Sequence, residues 1–329
     1  MKTFRNNRQG YEKLILEVRK IVNKVVQRNM AEGIMFSAGT DTSIIAYEAI
    51  KNNPDLKALT VEFEHGNPKD TKYVKILVKH LKLDHEFIVF GHEELIRATK
   101  KVIENLKTFD HMEVRNSVPV FIGLTSAKNR GIKSVFTGDG LDELFGYPWQ
   151  FDLSENEFSE ALSDMWKIID FSSTNLGKNV GVEVKQPYLD KIFRDFTKKI
   201  PINLKVNFEN GVKYGKWLMR KAYEGLIPNE VVWRLKAPCE QGTGTEILPE
   251  YFDEKVPTKL FEEKKEFYLK EDYVKLVTKE QLFYYEIFRE KFGKPSEVYN
   301  NKKGKQCLDC RGYVDRRTKF CRICGNYPI

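Results

Sequence analysis

Hydrophobic residues return every three or four positions in the first long segment. Tyr11, Leu14, Ile15, Val18, Val22, Val25 and Val26 fall on one side of a 3.6-residue repeat, with Lys, Arg, Glu and Asn on the other. This predicts an amphipathic helix over 11–30. The next apolar run, Gly33-Ile34-Met35-Phe36, is too short for a helix and reads as a strand, followed by a polar turn and a helical pattern over 42–51. The alternation then repeats: strand 56–63, helix 69–81, strand 85–90, helix 93–106, a further helix over 118–130, and a buried strand over 133–137 that runs into an acidic turn. Strands separated by helices of this length predict an α/β fold, a parallel sheet with helices on both faces. Beyond it the pattern is weakly helical over 151–179, loop-like over 203–211, and helical over 217–224 and 260–292, with a break near Glu271-Asp272. Residues 293–306 are rich in Gly, Pro, Ser, Asn and Lys, as a linker is. The expected organisation is a body over 1–292 with a helical C-terminal part, a linker over 293–306 and a small unit over 307–329, with no internal repeat.

Cysteines define that small unit. Four of the chain's five occur as Cys307-Leu-Asp-Cys310 and Cys321-Arg-Ile-Cys324, with ten residues between the pairs. Two such knuckles can fold back and offer four thiolates to one tetrahedral Zn²⁺, the arrangement of a zinc ribbon. Disulfides or a redox dithiol would use the same residues. Against disulfides, residues 1–7 are polar and Leu14-Ile15-Leu16 is cut by Glu17 and Arg19, so no export signal is read and a cytosolic protein is expected. Against a redox pair, the tail has no βαβ unit to carry it. A segment this small would draw most of its folding energy from the metal. At 329 residues the chain fits about two domains of ~150 residues. With 41% hydrophobic and 31% charged residues and no apolar run near ~18 residues, no membrane span is expected. A net charge of +8 favours anionic ligands, from nucleotide phosphates to RNA, without choosing among them.

Candidate chemistry lies in two loops. Ser37-Ala-Gly-Thr-Asp41-Thr-Ser43 joins the first strand to its helix, where a parallel sheet presents its ligand crevice. Small residues at 38 and 39 let backbone N–H groups approach an anion, Thr42 and Ser43 add donors, and Asp41 can hold magnesium beside it. An ordinary N-capped turn would also hold Ser, Thr and Asp. The second loop, Thr137-Gly138-Asp139-Gly140-Leu141-Asp142-Glu143-Leu144-Phe145-Gly146, follows a strand of the same sheet, so its carboxylates could face Asp41 across the crevice. Asp142 and Glu143 could instead merely complement a helix dipole.

Taken in order, these motifs resemble the asparagine synthetase family, in its synthetase domain. The first loop is similar to that family's Ser-Gly-Gly-x-Asp-Ser-Ser, and the second to its Ser-Gly-Glu-Gly-x-Asp-Glu-Leu-Phe-Gly. Gly181-Val-Glu183-Val-Lys185-Gln-Pro187-Tyr-Leu-Asp190, Lys216-Trp-Leu-Met-Arg220-Lys-Ala222, Leu226-Ile-Pro228, Trp233-Arg234-Leu-Lys236-Ala-Pro, Gly242-x-Gly244 and the 278–285 segment continue the series. The resemblance implies an ATP pyrophosphatase of the PP-loop, HUP-like class. It implies that Ser37, Gly39, Asp41, Thr42 and Ser43 grip the pyrophosphate of ATP, that Asp41 and Asp142 bind Mg²⁺, and that Val61, Thr137 and Gly138 line the AMP. Lys236, Asp139 and Glu183 match its catalytic positions, Lys236 contacting the leaving phosphate and the charge that develops. Asp70 and Asp110 match acidic positions whose role the resemblance leaves open.

Several positions depart from the family pattern. Asp139 stands where the family has Glu, so a carboxylate that orients the amine or acceptor must reach differently. Lys185 replaces Arg and loses bidentate geometry. The chain opens at Met1-Lys2, and Cys239, read as a small packed residue, is the one cysteine outside the ribbon, so no glutaminase domain is expected. The activity implied is an AMP-forming ligase that adenylates a carboxylate or amide-like oxygen of an unidentified acceptor. Nitrogen would come from ammonia or a separate glutaminase subunit. Two rivals remain open. A PP-loop enzyme that adenylates or thiolates tRNA would use the basic ribbon to bind RNA, and a non-catalytic scaffold would use it to bind a protein.

Overall fold

In the computed structural model, which describes residues 8–329, five parallel strands form the central sheet. They are β1 (Gly33–Met35), β2 (Lys57–Phe63), β3 (Asp84–Phe90), β4 (Ser134–Phe136) and β5 (Glu183–Lys185), in the order β3-β2-β1-β4-β5. The polar residues 1–7, read above as carrying no export signal, lie outside the described residues. The chain walks outward from β1 to β3 and then crosses back to β4, so the strand order reverses between β1 and β4. Loops leaving the carboxyl ends of those two strands diverge there and open a crevice. This is the expected sheet with helices on both faces.

Each face carries its own core. On one side Val18, Val22, Val25 and Val26 of the helix Arg8–Arg28 pack with Ile44 and Ile45 of Thr40–Ala49 and with Leu218 and Met219 of Trp217–Tyr223. On the other, Val114, Val118 and Ile122 of His111–Asn129 pack with Val102 and Ile103 of His92–Leu106 and Tyr284, Tyr285 and Phe288 of Lys279–Phe292. The second face needs a glycine at one point. A Cβ at Gly123 would stand 2.0 Å from Met35 Cε and 3.0 Å from Val61 Cγ2, so a larger residue there would force the Met35 side chain to move and press on Val61. Among the described residues no helix is long and apolar enough to cross a membrane.

Four local readings are revised. The helix expected over 118–130 starts at His111, because Asp110 caps it by accepting from Met112 N (3.0 Å), and Pro119 is accommodated inside it. Residues 203–211, expected as loop, form an antiparallel hairpin of β6 (Val206–Glu209) and β7 (Val212–Gly215). Its turn is Asn210-Gly211, both at positive φ, the conformation a two-residue hairpin requires. Strand β5 lies inside a segment read only as a motif, since three residues are too few to show a period. Finally Cys239, read as packed, is exposed at the start of the helix Cys239–Thr243, with Sγ 3.8 Å from the Asn116 carbonyl.

The cysteine segment is built on β8 (Lys305–Gln306) and β9 (Tyr313–Val314). It docks on the second face, and its four cysteines are buried in the same apolar cluster as Tyr285 and Phe288. Phe109 N donates to the Ile323 carbonyl (2.9 Å), Thr108 Oγ1 to the Arg322 carbonyl (2.8 Å) and Gln281 Nε2 to the Cys324 carbonyl (2.8 Å).

That docking encloses Asp110, which is 3% exposed. Burial, with the nearby Glu113 charge, pushes its pKa up to about 7. Its native form therefore holds a proton that the unfolded chain releases near pH ~4, so stability falls as pH rises from ~4 to ~7 and then levels. Asp110→Asn keeps the cap and removes this loss. Its advantage in melting temperature over the native chain should be near zero below pH ~4 and grow to a plateau above pH ~7. Melting curves in which the difference does not change with pH would contradict the assignment.

Candidate functional site

The phosphate-loop candidate forms because β1 ends at a buried apolar stop and the helix Thr40–Ala49 begins at once, capped by Gly39 in extended conformation. Ser37 Oγ receives Gly39 N (3.2 Å) and meets Thr42 Oγ1 (3.1 Å), which folds the loop over its own helix start. Ala38 takes a φ of 49°, in the left-handed region, where the family pattern has Gly. A buried cation holds that turn. Arg234 Nη1 donates to the carbonyls of Ser37 and Ala38 (3.2 Å each), while its Nη2 bonds Asp70 Oδ1 (2.5 Å). Asp70 thus anchors the residue that shapes the loop. Ser43 is 1% exposed, and its hydroxyl has no hydrogen-bond partner. An unspent buried donor at a helix start, beside N–H groups that no turn of the helix can satisfy, suits a phosphate.

From the far side of the switch point comes the second loop. A Cβ at Gly138 would stand 2.9 Å from Asp41 Cβ, so the two loops touch there, and Gly140 turns the chain at φ 98° into the helix Leu141–Phe145. Asp41 and Asp142 are thereby brought together. Between them lies Lys216, whose role was not read from the sequence. Its Nζ is 2.6 and 2.7 Å from the Asp41 oxygens and 2.9 Å from Asp142 Oδ1. Lys236 Nζ bonds the other Asp142 oxygen at 2.5 Å and sits 5.2 Å from the centre of the Tyr147 ring. The result is an alternating row, Asp41, Lys216, Asp142, Lys236. Burial opposes charge on Lys216, but Asp142 and Asp41 outweigh it and raise its pKa. Burial likewise opposes charge on Asp142, yet Lys216 and Lys236 draw its pKa below the ordinary carboxylate value. Two carboxylates close enough to share one ammonium group have the chemistry and spacing to share Mg²⁺.

Asp139 faces a different set of partners. Thr137 Oγ1 (2.6 Å), Ser173 Oγ (2.6 Å) and Gln186 Nε2 (2.9 Å) all donate to its Oδ2, so the carboxylate is clamped by one oxygen. Ser173 and Gln186 were not read as site residues, and no local pattern marks them. Val61 stands level with Ser37 by the register of β1 and β2, but its side chain is buried with Met35 against Gly123. Glu183 is not brought to the crevice. It opens β5 opposite Ser134, at the other end of the sheet, exposed and paired with Lys185 (2.6 Å).

The four ribbon cysteines offer sulfurs within 4.8 Å of one another. Cys307 to Cys324 and Cys310 to Cys321 are each 3.7 Å, too long for a disulfide at ~2.05 Å and close to the edge of a tetrahedron with Zn–S of ~2.3 Å. The set fits zinc.

Comparison with known proteins bears on the body of the chain. The asparagine synthase family model matches residues 16–169 and 169–308. The chain is 28% identical over 293 residues to asparagine synthetase [glutamine-hydrolyzing] of Gallus gallus, covering 82% of this chain and 51% of that protein. It is 30% identical over 287 residues to asparagine synthetase B [glutamine-hydrolyzing] of Escherichia coli (strain K12), covering 80% and 50%. The chain therefore spans about half the length of the curated relatives it matches. Among solved structures it is similar to NMN synthetase from Francisella tularensis, with a TM-score of 0.40 and 13% identity over 85% of this chain and 92% of that one. The family match runs through both crevice loops, Lys216, Lys236 and the first cysteine pair's threshold, and on that extent the chain belongs to the asparagine synthase family.

Proposed function

We propose that the crevice is the site of an ATP-dependent, AMP-forming ligase. The observation that carries this is the row Asp41, Lys216, Asp142, Lys236 at the switch point, two carboxylates that follow the adjacent strands β1 and β4 and two cations brought in from after β7 and after the helix Asn229–Val232. Ser37, Gly39, Thr42 and Ser43 receive the pyrophosphate moiety of ATP at the helix start. Asp41 and Asp142 would hold Mg²⁺, whose charge would offset that of the leaving pyrophosphate. An acceptor carboxylate oxygen attacks the α-phosphorus and the α–β bond breaks, giving an acyl-adenylate and pyrophosphate. Ammonia, free or delivered by a glutaminase, then attacks the carbonyl carbon, sheds a proton and expels AMP. Lys236 lies against Asp142 at the crevice mouth, where its ammonium meets the charge that develops on the transferring phosphate. Asp139, one methylene shorter than the family's Glu, is steadied through Oδ2 by Thr137, Ser173 and Gln186, so that its other oxygen orients the nitrogen nucleophile or the acceptor.

A screen of carboxylates with ammonia, read as conversion of ATP to AMP, tests this reading. In that assay Lys236→Met should lower turnover by about 10²–10³-fold while changing ATP affinity far less, because the lost donor acts on transition-state charge. Release of ADP instead of AMP, or full activity of Lys236→Met, would reject it.

A further inference from the structure

The ribbon has a docked end and a free end. The knuckle carbonyls of 322–324 are bound by Thr108, Phe109 and Gln281, and Asp309 accepts from Lys275 N (2.8 Å). At the other end the register pairs Lys305 with Val314, so the chain entering β8 at 302–304 and the chain leaving β9 at 315–317 lie side by side. Thr318 N closes a turn on the Asp315 carbonyl (3.2 Å), and Lys319 follows at once. Lys302, Lys303, Arg316 and Lys319 are all exposed there, and among the described residues none makes a salt bridge. Asp315, the carboxylate of this end, is taken by Arg317 through two bonds of 2.9 and 2.7 Å. The C-terminal strand of chain runs beside it, Ile329 N bonding the Lys319 carbonyl (3.0 Å), and leaves Tyr327 67% exposed.

We infer that this free end binds the phosphate backbone of single-stranded or looped RNA, with Tyr327 as a stacking surface for a base. Four exposed cations on two adjoining segments, of which Lys319 alone has a carboxylate, Asp164, in electrostatic reach, match closely spaced phosphates, and the exposed Tyr327 ring on the adjoining C-terminal segment is the second element of such sites. A membrane surface would need several apolar side chains to insert, and this end offers one ring. Reading duplex DNA would need an element long enough to enter a groove, which two-residue strands are not. The lobe also adjoins the crevice. Arg322 pairs with Asp170 (3.7 Å), three residues before Ser173, which bonds Asp139. The inference stands apart from the amidation reading and is tested without any acceptor.

Fluorescence anisotropy of a labelled 20-nucleotide RNA, titrated with the full chain between 50 and 200 mM salt, reads the binding. The variant Lys302→Glu/Lys303→Glu/Arg316→Glu/Lys319→Glu should bind at least about tenfold more weakly, with the slope of log K against log salt shallower by about 3. A charge-matched control, Lys13→Glu/Lys20→Glu/Lys24→Glu/Lys79→Glu, should bind like the native chain. If the first variant loses its metal, Lys302→Ala/Lys303→Ala decides, with a slope shallower by about 1.4. Absence of RNA binding at 50 mM salt, equal weakening in the control, or equally lysine-dependent capture by phosphatidylserine vesicles would overturn the inference.

Discussion

Lys216→Met should destabilise the fold by about 3–5 kcal/mol and give it a magnesium response that the native chain lacks without nucleotide. Lys216 Nζ lies within 2.9 Å of both Asp41 and Asp142, and its side chain is 7% exposed. Removing it leaves two carboxylates facing each other in a crevice that keeps water scarce. Asp142 keeps Lys236, so it is Asp41 that must take up a proton or find another cation. For a chain of this size the loss amounts to roughly 10 °C in melting temperature. Mg²⁺ at millimolar concentration should return part of it, since the vacated position has two oxygen donors of the right kind. Melting curves of both proteins with and without MgCl₂ check the claim. An unchanged melting temperature, or an equal magnesium shift in both proteins, would show that Lys216 does not stand in for the metal.

The second large effect is expected at the ribbon. Cys310→Ser, or treatment with a strong chelator, should release the single zinc and unfold the segment, because a four-thiolate site is worth about 10 kcal/mol or more to so small a unit. The consequence should extend into the body. The knuckle carbonyls are the acceptors for Phe109 N, Thr108 Oγ1 and Gln281 Nε2, and the cysteines share an apolar cluster with Tyr285 and Phe288. Hydrogen exchange should therefore rise over 108–112 and 279–288 as well as 307–329, while the phosphate loop at 37–43 keeps its protection. Metal analysis giving well under one zinc per native chain, or exchange that rises only within the ribbon, would remove the claim.

The candidate functional parts that could be read from sequence are those whose chemistry is local. A phosphate loop needs small residues, hydroxyls and a helix start within seven positions, and Ser37 to Ser43 supplies them in one stretch. A zinc site needs two Cys-x-x-Cys pairs, and their spacing alone brings four sulfurs within reach once the chain turns back. Asn210-Gly211 was equally local and predicts its hairpin directly, although the short flanking runs read as loop.

What the tertiary structure alone decided is which distant residues complete these loops. Lys216 is 175 positions from Asp41, Arg234 is 164 from Asp70, and Ser173 and Gln186 are 34 and 47 from Asp139, separations at which no periodicity or spacing carries information. Glu183 shows the converse. It shares a motif with Lys185 and lies on a strand that borders the crevice, yet strand direction sets it at the far end of the sheet. Local sequence determined most of the elements, the candidate phosphate loop at 37–43 and the two cysteine knuckles, because each closes within a few residues. The charge balance of the crevice was settled only by folding, because the cations that compensate buried carboxylates come from whatever part of the chain the sheet order brings beside them.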